Sequence, residues 1–301
     1  MKNKSNRRNF LKKVGLLSTP LMIPGMGLAH RTSGQNQEEA VSIDQPQINF
    51  IWDGFFFTPD WYIQKLAEIN QANSIEADYY GNGGPTEKLE TEFARITGKE
   101  KAIYLPTGTM ANQLAMKLLN GVKTKVIVPE NSHIFRDEAD AAAAVHELRL
   151  IPLGKDKAYY DLEDLTTAIE YDKKGFYYDS GLGTVVIENP VRRALNKFVP
   201  IENIREISAF CREKGLKLHL DGARLHSAAA FSGVSVEEYA SYFDTVYISL
   251  YKYPNAGGGA ILCGDSDIIE KMEHQIKIRG ASFLRNWTSP AMALLYLADV
   301  D

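Results

Sequence analysis

The stretch from Asp244 to Gly264 puts one lysine where a lysine can do covalent chemistry. Apolar residues run from Asp244 to Leu250 in the manner of a buried strand, and Lys252 follows its carboxyl end. Gly257, Gly258 and Gly259 then make a turn into a second apolar run that closes at Cys263. An amine held near a ligand and partly shielded from water forms an imine with an aldehyde cofactor. Taken alone, the segment is as readily that of a solvated loop lysine.

A second segment, 31 residues earlier, separates the two readings. Lys217-Leu218-His219-Leu220-Asp221 reads as a buried strand ending in a carboxylate, with Gly222-Ala223-Arg224 after it. Pyridoxal phosphate needs a carboxylate at its pyridine nitrogen, because a protonated ring draws electrons from the bond broken at Cα. An aspartate at one strand end and a lysine at another would bracket one flat ligand. The planar guanidinium of Arg224 suits the ring hydroxyl or a substrate carboxylate. Two weaker signals join them. Thr107-Gly108-Thr109 follows a strand and opens a helix, so Gly108 and Thr109 are placed to bind a phosphate, although any threonine can cap a helix. His133, after another strand, is placed to stack on the ring; a lone histidine is more often a hydrogen-bonded loop residue.

The elements that position these residues alternate along the chain. Strands are predicted at Ala102–Leu105, Lys125–Pro129, Leu148–Leu153, Thr184–Glu188, Lys217–Asp221, Asp244–Leu250 and Gly259–Cys263. Amphipathic helices lie between them, among others at Thr86–Thr97, Met110–Leu119 and Ile201–Lys214. That order predicts a three-layer α/β/α fold with a mostly parallel sheet and the ligand outside the carboxyl ends of the strands.

Charge and composition narrow the setting. The first 29 residues carry six basic residues and no acidic one, which leaves 28 basic against 38 acidic residues in the other 272. A body that acidic argues against a nucleic-acid or anionic-membrane partner. Asn6-Arg7-Arg8-Asn9-Phe10-Leu11-Lys12, followed by a moderately apolar run to Ala29, has the form of a twin-arginine export signal. It predicts a periplasmic protein with no stable membrane insertion once the signal is cleaved. The organisation expected is therefore signal (1–29), linker (30–47), cofactor-binding large domain (48–285) and the start of a truncated C-terminal small domain (286–301). The two cysteines, Cys211 and Cys263, read as small core residues.

Over residues 50 to 290 the sequence resembles the threonine aldolase and β-eliminating lyase family. The resemblance rests on Ala77-Asp78-Tyr79-Tyr80-Gly81 with Pro85-Thr86 and Leu89-Glu90, on the run Thr107 to Gln113, and on His133. It continues through Glu188-Asn189, His219 to Leu225 and the strand leading to Lys252. It implies a fold-type-I homodimer or homotetramer that uses pyridoxal 5'-phosphate. Lys252 would be the Schiff-base lysine, Asp221 the pyridine partner, Gly108 and Thr109 the phosphate cradle, His133 the stacking ring, and Arg224 the partner of a ring oxygen or carboxylate. The activity implied is cleavage of a β-hydroxy-α-amino acid to glycine and an aldehyde. A β-eliminating lyase or racemase, or an exported homologue without turnover, remains open. Two departures bear on the chemistry. Val191 stands where the family has a histidine facing the substrate β-hydroxyl, which leaves a water or Tyr251 as the base, and Tyr253 replaces the usual glycine after the lysine.

Overall fold

The computed structural model of the chain describes residues 48–49, 53–55, 57–175 and 177–297. The export signal and most of the linker lie outside the described residues.

Two short strands, β1 (Ile48–Asn49) and β2 (Gly54–Phe55), pair antiparallel, and seven more form one sheet: β3 (Lys101–Leu105), β4 (Lys125–Pro129), β5 (Arg149–Leu153), β6 (Leu182–Glu188), β7 (Lys217–Asp221), β8 (Thr245–Ser249) and β9 (Ala260–Gly264). Their spatial order is β3-β9-β8-β7-β6-β4-β5. Pairs β4–β5, β4–β6, β6–β7 and β7–β8 are parallel, and β9 alone runs against its neighbours β3 and β8. A parallel pair needs a crossover, whereas the glycine-rich turn after Lys252 is long enough only for an antiparallel return. Because β3 and β8 both oppose β9, the carboxyl ends of β3, β4, β6, β7 and β8 share one edge. The mostly parallel α/β sheet read from the strand and helix pattern is the one observed, with strand bounds within a residue or two.

Helices cover both faces, so β4, β8 and β9 are buried at every position, with apolar centres and buried polar residues such as Lys125 and Thr245 at their ends. On one face Val185, Leu218, Val246 and Ile261 pack with Leu89, Phe93 and Ile204. On the other, Leu105 and Leu262 meet Leu114, Leu119 and Met272. Cys211 and Cys263 are free and buried, with burial pushing each thiol up to about 12. The apolar run near the end of the described chain is a helix, Thr288–Leu297, whose Ala293 and Leu297 join the first of these two clusters. Its entry is tied down by Asp78. That buried carboxylate accepts the backbone N–H groups of Asn286 and Trp287 at 2.8 Å and of Gly81 at 3.0 Å.

The loop after β6 departs from expectation. Val191, which stands in the sequence where the family has a substrate-facing histidine, is wholly buried in the main core, and its N–H donates to the Lys197 carbonyl at 2.9 Å. Its neighbours Glu188 and Pro190 line the cavity beyond the strand ends, and Val191 does not. A base missing from this chain is therefore not missing at position 191. Val191→His should bury an imidazole in apolar surroundings and lower unfolding stability by about 1–3 kcal/mol without creating a new base. Denaturant unfolding checks this, and a variant as stable as the parent would mean that the side chain does reach the cavity.

Candidate active site

The five strand ends on the shared edge enclose a cavity of about 260 Å³. It is lined by Gly108 and Thr109 after β3, His133 after β4, Glu188 on β6, Asp221 and Arg224 at β7, and Lys252 after β8. All six site residues named from sequence thus meet in one place. A larger cavity, about 770 Å³, lies between helices Gly84–Thr97 and Ser266–Ile278. It is walled by charged helix faces such as Glu87, Glu270 and Lys277 and collects no strand-end chemistry, so the smaller cavity is the candidate site.

Asp221 is 2 % exposed. One carboxylate oxygen accepts the Ala223 N–H at 3.2 Å and the other accepts the Asn112 amide at 3.1 Å. Asn112 sits in helix Gly108–Asn120, one turn in from the strand end, and its Nδ2 also donates to Glu138 at 2.8 Å. Its Oδ1 is 3.0 Å from Nε2 of His219, whose Nδ1 is 2.8 Å from the Thr245 hydroxyl. Burial pulls the His219 imidazole down to about 4, so the ring is neutral. Since Oδ1 only accepts, Nε2 carries the hydrogen and Thr245 donates to Nδ1. Glu138 accepts from His133 Nδ1 at 3.0 Å, and that bond raises the histidine's proton affinity before burial opposes it. Sequence reading named none of Asn112, Glu138 and His219 as site residues. The alternation of a strand was signal enough for one of them, because His219 and Asp221 must share a face.

Lys252 is 7 % exposed, and among the described residues its amine has no hydrogen-bond acceptor; it lies 5.2 Å from the ring centre of Tyr251. Burial, and then the charge of Arg224, bring the amine down to about 8 against the pull of Asp221, Asp53 and Glu188. A large fraction is therefore the free, nucleophilic amine at mildly alkaline pH. Glu188 pairs in register with Asp221 across β6 and β7 and moves the other way. Burial and then the Asp221 charge push it up to about 7. Its Oε2 accepts the His133 N–H at 2.5 Å and its Oε1 the Arg192 N–H at 2.9 Å.

Two of these residues make further contacts that local sequence does not show. The sequence places Gly108 for close approach of a phosphate. In the structure the direction of its missing Cβ is filled by the hydroxyl of Tyr247, so that contact excludes any larger residue. Arg224 was assigned to a ligand oxygen, but its Nη2 donates to Asp53, a residue from far earlier in the chain that the sequence reading did not single out. The Arg224 Nε, also buried, has no partner among the described residues.

These groups fit pyridoxal phosphate. Among the described residues, an unpaired buried N–H on Arg224, a buried amine without an acceptor and a carboxylate fixed by two donors surround a space suited to one substituted ring, with a helix N-terminus at its rim. Among the described residues no helix is long and apolar enough to cross a membrane, and no group of acidic, histidine or cysteine side chains could hold a metal ion.

Comparison with known proteins agrees with the geometry. Residues 64–298 match the family described as beta-eliminating lyase. The chain is 34 % identical over 217 residues to a low-specificity L-threonine aldolase of Candida albicans, covering 71 % of this chain and 57 % of that protein. It is 30 % identical over 241 residues to the Saccharomyces cerevisiae low specificity L-threonine aldolase, covering 78 % and 61 %. It therefore spans roughly three-fifths of the length of these relatives. A crystal structure of a Listeria monocytogenes protein assigned as an L-allo-threonine aldolase superposes with a TM-score of 0.70 at 30 % identity, covering 79 % of this chain and 64 % of that one. With the six residues that the family resemblance names gathered at one sheet edge, the chain belongs to the beta-eliminating lyase family of pyridoxal-phosphate-dependent, fold-type-I enzymes.

Proposed function

We propose that the protein is a lyase of the threonine aldolase type, cleaving the Cα–Cβ bond of a β-hydroxy-α-amino acid to give glycine and an aldehyde. The observation that carries this reading is that one cavity is lined by the buried amine of Lys252, the fixed carboxylate of Asp221 and a second buried carboxylate, Glu188. Bound pyridoxal phosphate supplies the sink for the electron pair left on Cα as the bond breaks. Lys252 would hold its aldehyde carbon, Asp221 its ring nitrogen, Gly108 and Thr109 its phosphate, and His133 a ring face. Arg224 would offer Nε–H to an oxygen.

The remaining proton chemistry falls to the chain itself. The β-hydroxyl must lose a proton as the aldehyde forms, and Cα must gain one to become glycine. Glu188 suits the first task, since it lines the cavity and burial beside Asp221 raises its proton affinity, as a general base needs. It takes the place that sequence reading left to a water or Tyr251. The Asn112 amide keeps Asp221 and Glu138 from turning, and Glu138 in turn orients His133.

We also infer export through the twin-arginine route to the periplasm and assembly into a homodimer or homotetramer. Support comes from the paired arginines at the N-terminus and from the family resemblance, respectively.

The full-length protein loaded with cofactor should release glycine from L-threonine, and Lys252→Ala should abolish both this and borohydride-fixed attachment of the cofactor. Product analysis with threonine, serine and cysteine decides it, and pyruvate and ammonia in place of glycine would point to β-elimination instead.

Glu188 yields a pH test. The folded state keeps its proton between the ordinary carboxylate range and about 7, where the unfolded chain has lost it, so stability falls as pH rises across that window. Glu188→Gln should narrow the difference in melting temperature between pH 5 and pH 8, and an unchanged difference would place that titration elsewhere. Replacing Arg7 and Arg8 with lysine should strand the precursor in the cytoplasm, as fractionation would report.

A further inference from the structure

The Arg224–Asp53 pair raises a question that the proposed reaction leaves open. A guanidinium in an amino-acid site is most useful when its paired N–H groups face a ligand carboxylate. Here Nη2 is already taken by the carboxylate of Asp53, and both side chains are nearly buried, 9 % and 13 % exposed. Asp53 is not a loosely tethered partner. Its backbone has a φ of +60°, and the next two residues are fastened to the turn that follows the reactive lysine. Phe55 N–H donates to Asn255 Oδ1 at 2.9 Å, and a Cβ on Gly54 would come within 2.8 Å of the Lys252 carbonyl oxygen. The segment 53–55 thus presents a carboxylate to Arg224 from a fixed position.

We propose that Asp53 is a specificity-determining residue: it acts as an internal carboxylate that competes with the ligand for Arg224. Among the described residues Nε–H is a buried donor without a partner, and a negative charge stands beside the guanidinium. A substrate carboxylate would then share the guanidinium with Asp53 and lose part of its attraction to repulsion between the two carboxylates. An amino acid held only through its carboxylate is bound weakly, and contacts elsewhere on the substrate must select it. The pair also influences the lysine, since Arg224 lowers and Asp53 raises its proton affinity. The inference rests on the amino-acid reading of the site, but its test needs no turnover.

The probe is acetate, a bare carboxylate, with acetamide as its neutral counterpart, each titrated into the full chain loaded with cofactor and followed by ligand-observed NMR. Wild-type protein should hold acetate no more than a few-fold better than acetamide. Asp53→Asn and Asp53→Ser should each bind acetate at least about fivefold more tightly, the scale of coupling between close charges. Asp53→Glu, which restores the carboxylate, should return toward the wild-type value. With L-threonine the neutral variants should show the gain in KM rather than kcat. An acetate affinity unchanged or weakened in a neutral variant that keeps the wild-type cofactor spectrum overturns the proposal. So does a wild-type preference for acetate over acetamide above about tenfold, a measurement that stands even if the variants do not fold. A protein that passes the acetate test yet releases no glycine refutes the lyase reading and leaves this one in place.

Discussion

The side-chain amide of Asn112 joins two buried carboxylates, Asp221 and Glu138, and it can do so only because neutral His219 donates to its oxygen. If the amide were flipped, its oxygen would face both carboxylates and its NH₂ would face a ring nitrogen that carries a hydrogen. That one orientation sets the rest of the site. Asp221 is held at the strand end, Glu138 is aimed at His133, and His133 stands over the same cavity as Lys252. The network ends in Thr245 on β8, the strand that also leads to the lysine, so the carboxylate and the amine are linked through side chains as well as through the sheet. Buried polar networks of this kind are worth having only when every member is satisfied.

Burial supplies the chemistry as well as the shape. The same exclusion of water that lowers the Lys252 amine to about 8 raises Glu188 to about 7, because it disfavours whichever form carries charge. An amine and an acid with ordinary proton affinities far apart are thereby brought near each other in the range where both can exchange protons. Neighbouring charges adjust this pattern: Arg224 lowers the lysine further, while Asp221 raises Glu188 further and pulls the lysine back up. The apolar sheet that makes the fold stable is therefore also what makes its strand ends reactive.

Much of this was legible in the linear order of residues. Each strand is a local apolar run, and the residue at its carboxyl end is fixed by covalent continuity, so Lys252, Asp221, His133, Gly108, Thr109 and Arg224 were nameable without coordinates. A parallel sheet then obliges strand ends to share an edge, and the six residues converge as that rule requires. His219 was legible in principle from its two-residue spacing to Asp221.

Pairings between distant segments belonged to the tertiary structure alone. Asp53 meets Arg224 across 171 residues, and Asn112 meets Asp221 across 109. Nothing local specifies such contacts, because they depend on strand register and on how each loop leaves its strand. Val191 makes the same point in reverse: its position in the motif placed it at the substrate, but the path of the loop after Glu188 turns it into the core. Gly108, at a helix start, owes its lack of a side chain to Tyr247 on β8. The sequence by itself determined the elements and the chemistry at their ends, since those follow from local periodicity and residue type. Only the folded chain decided which charges neutralise one another, because Coulombic and packing partners are chosen by distance in space.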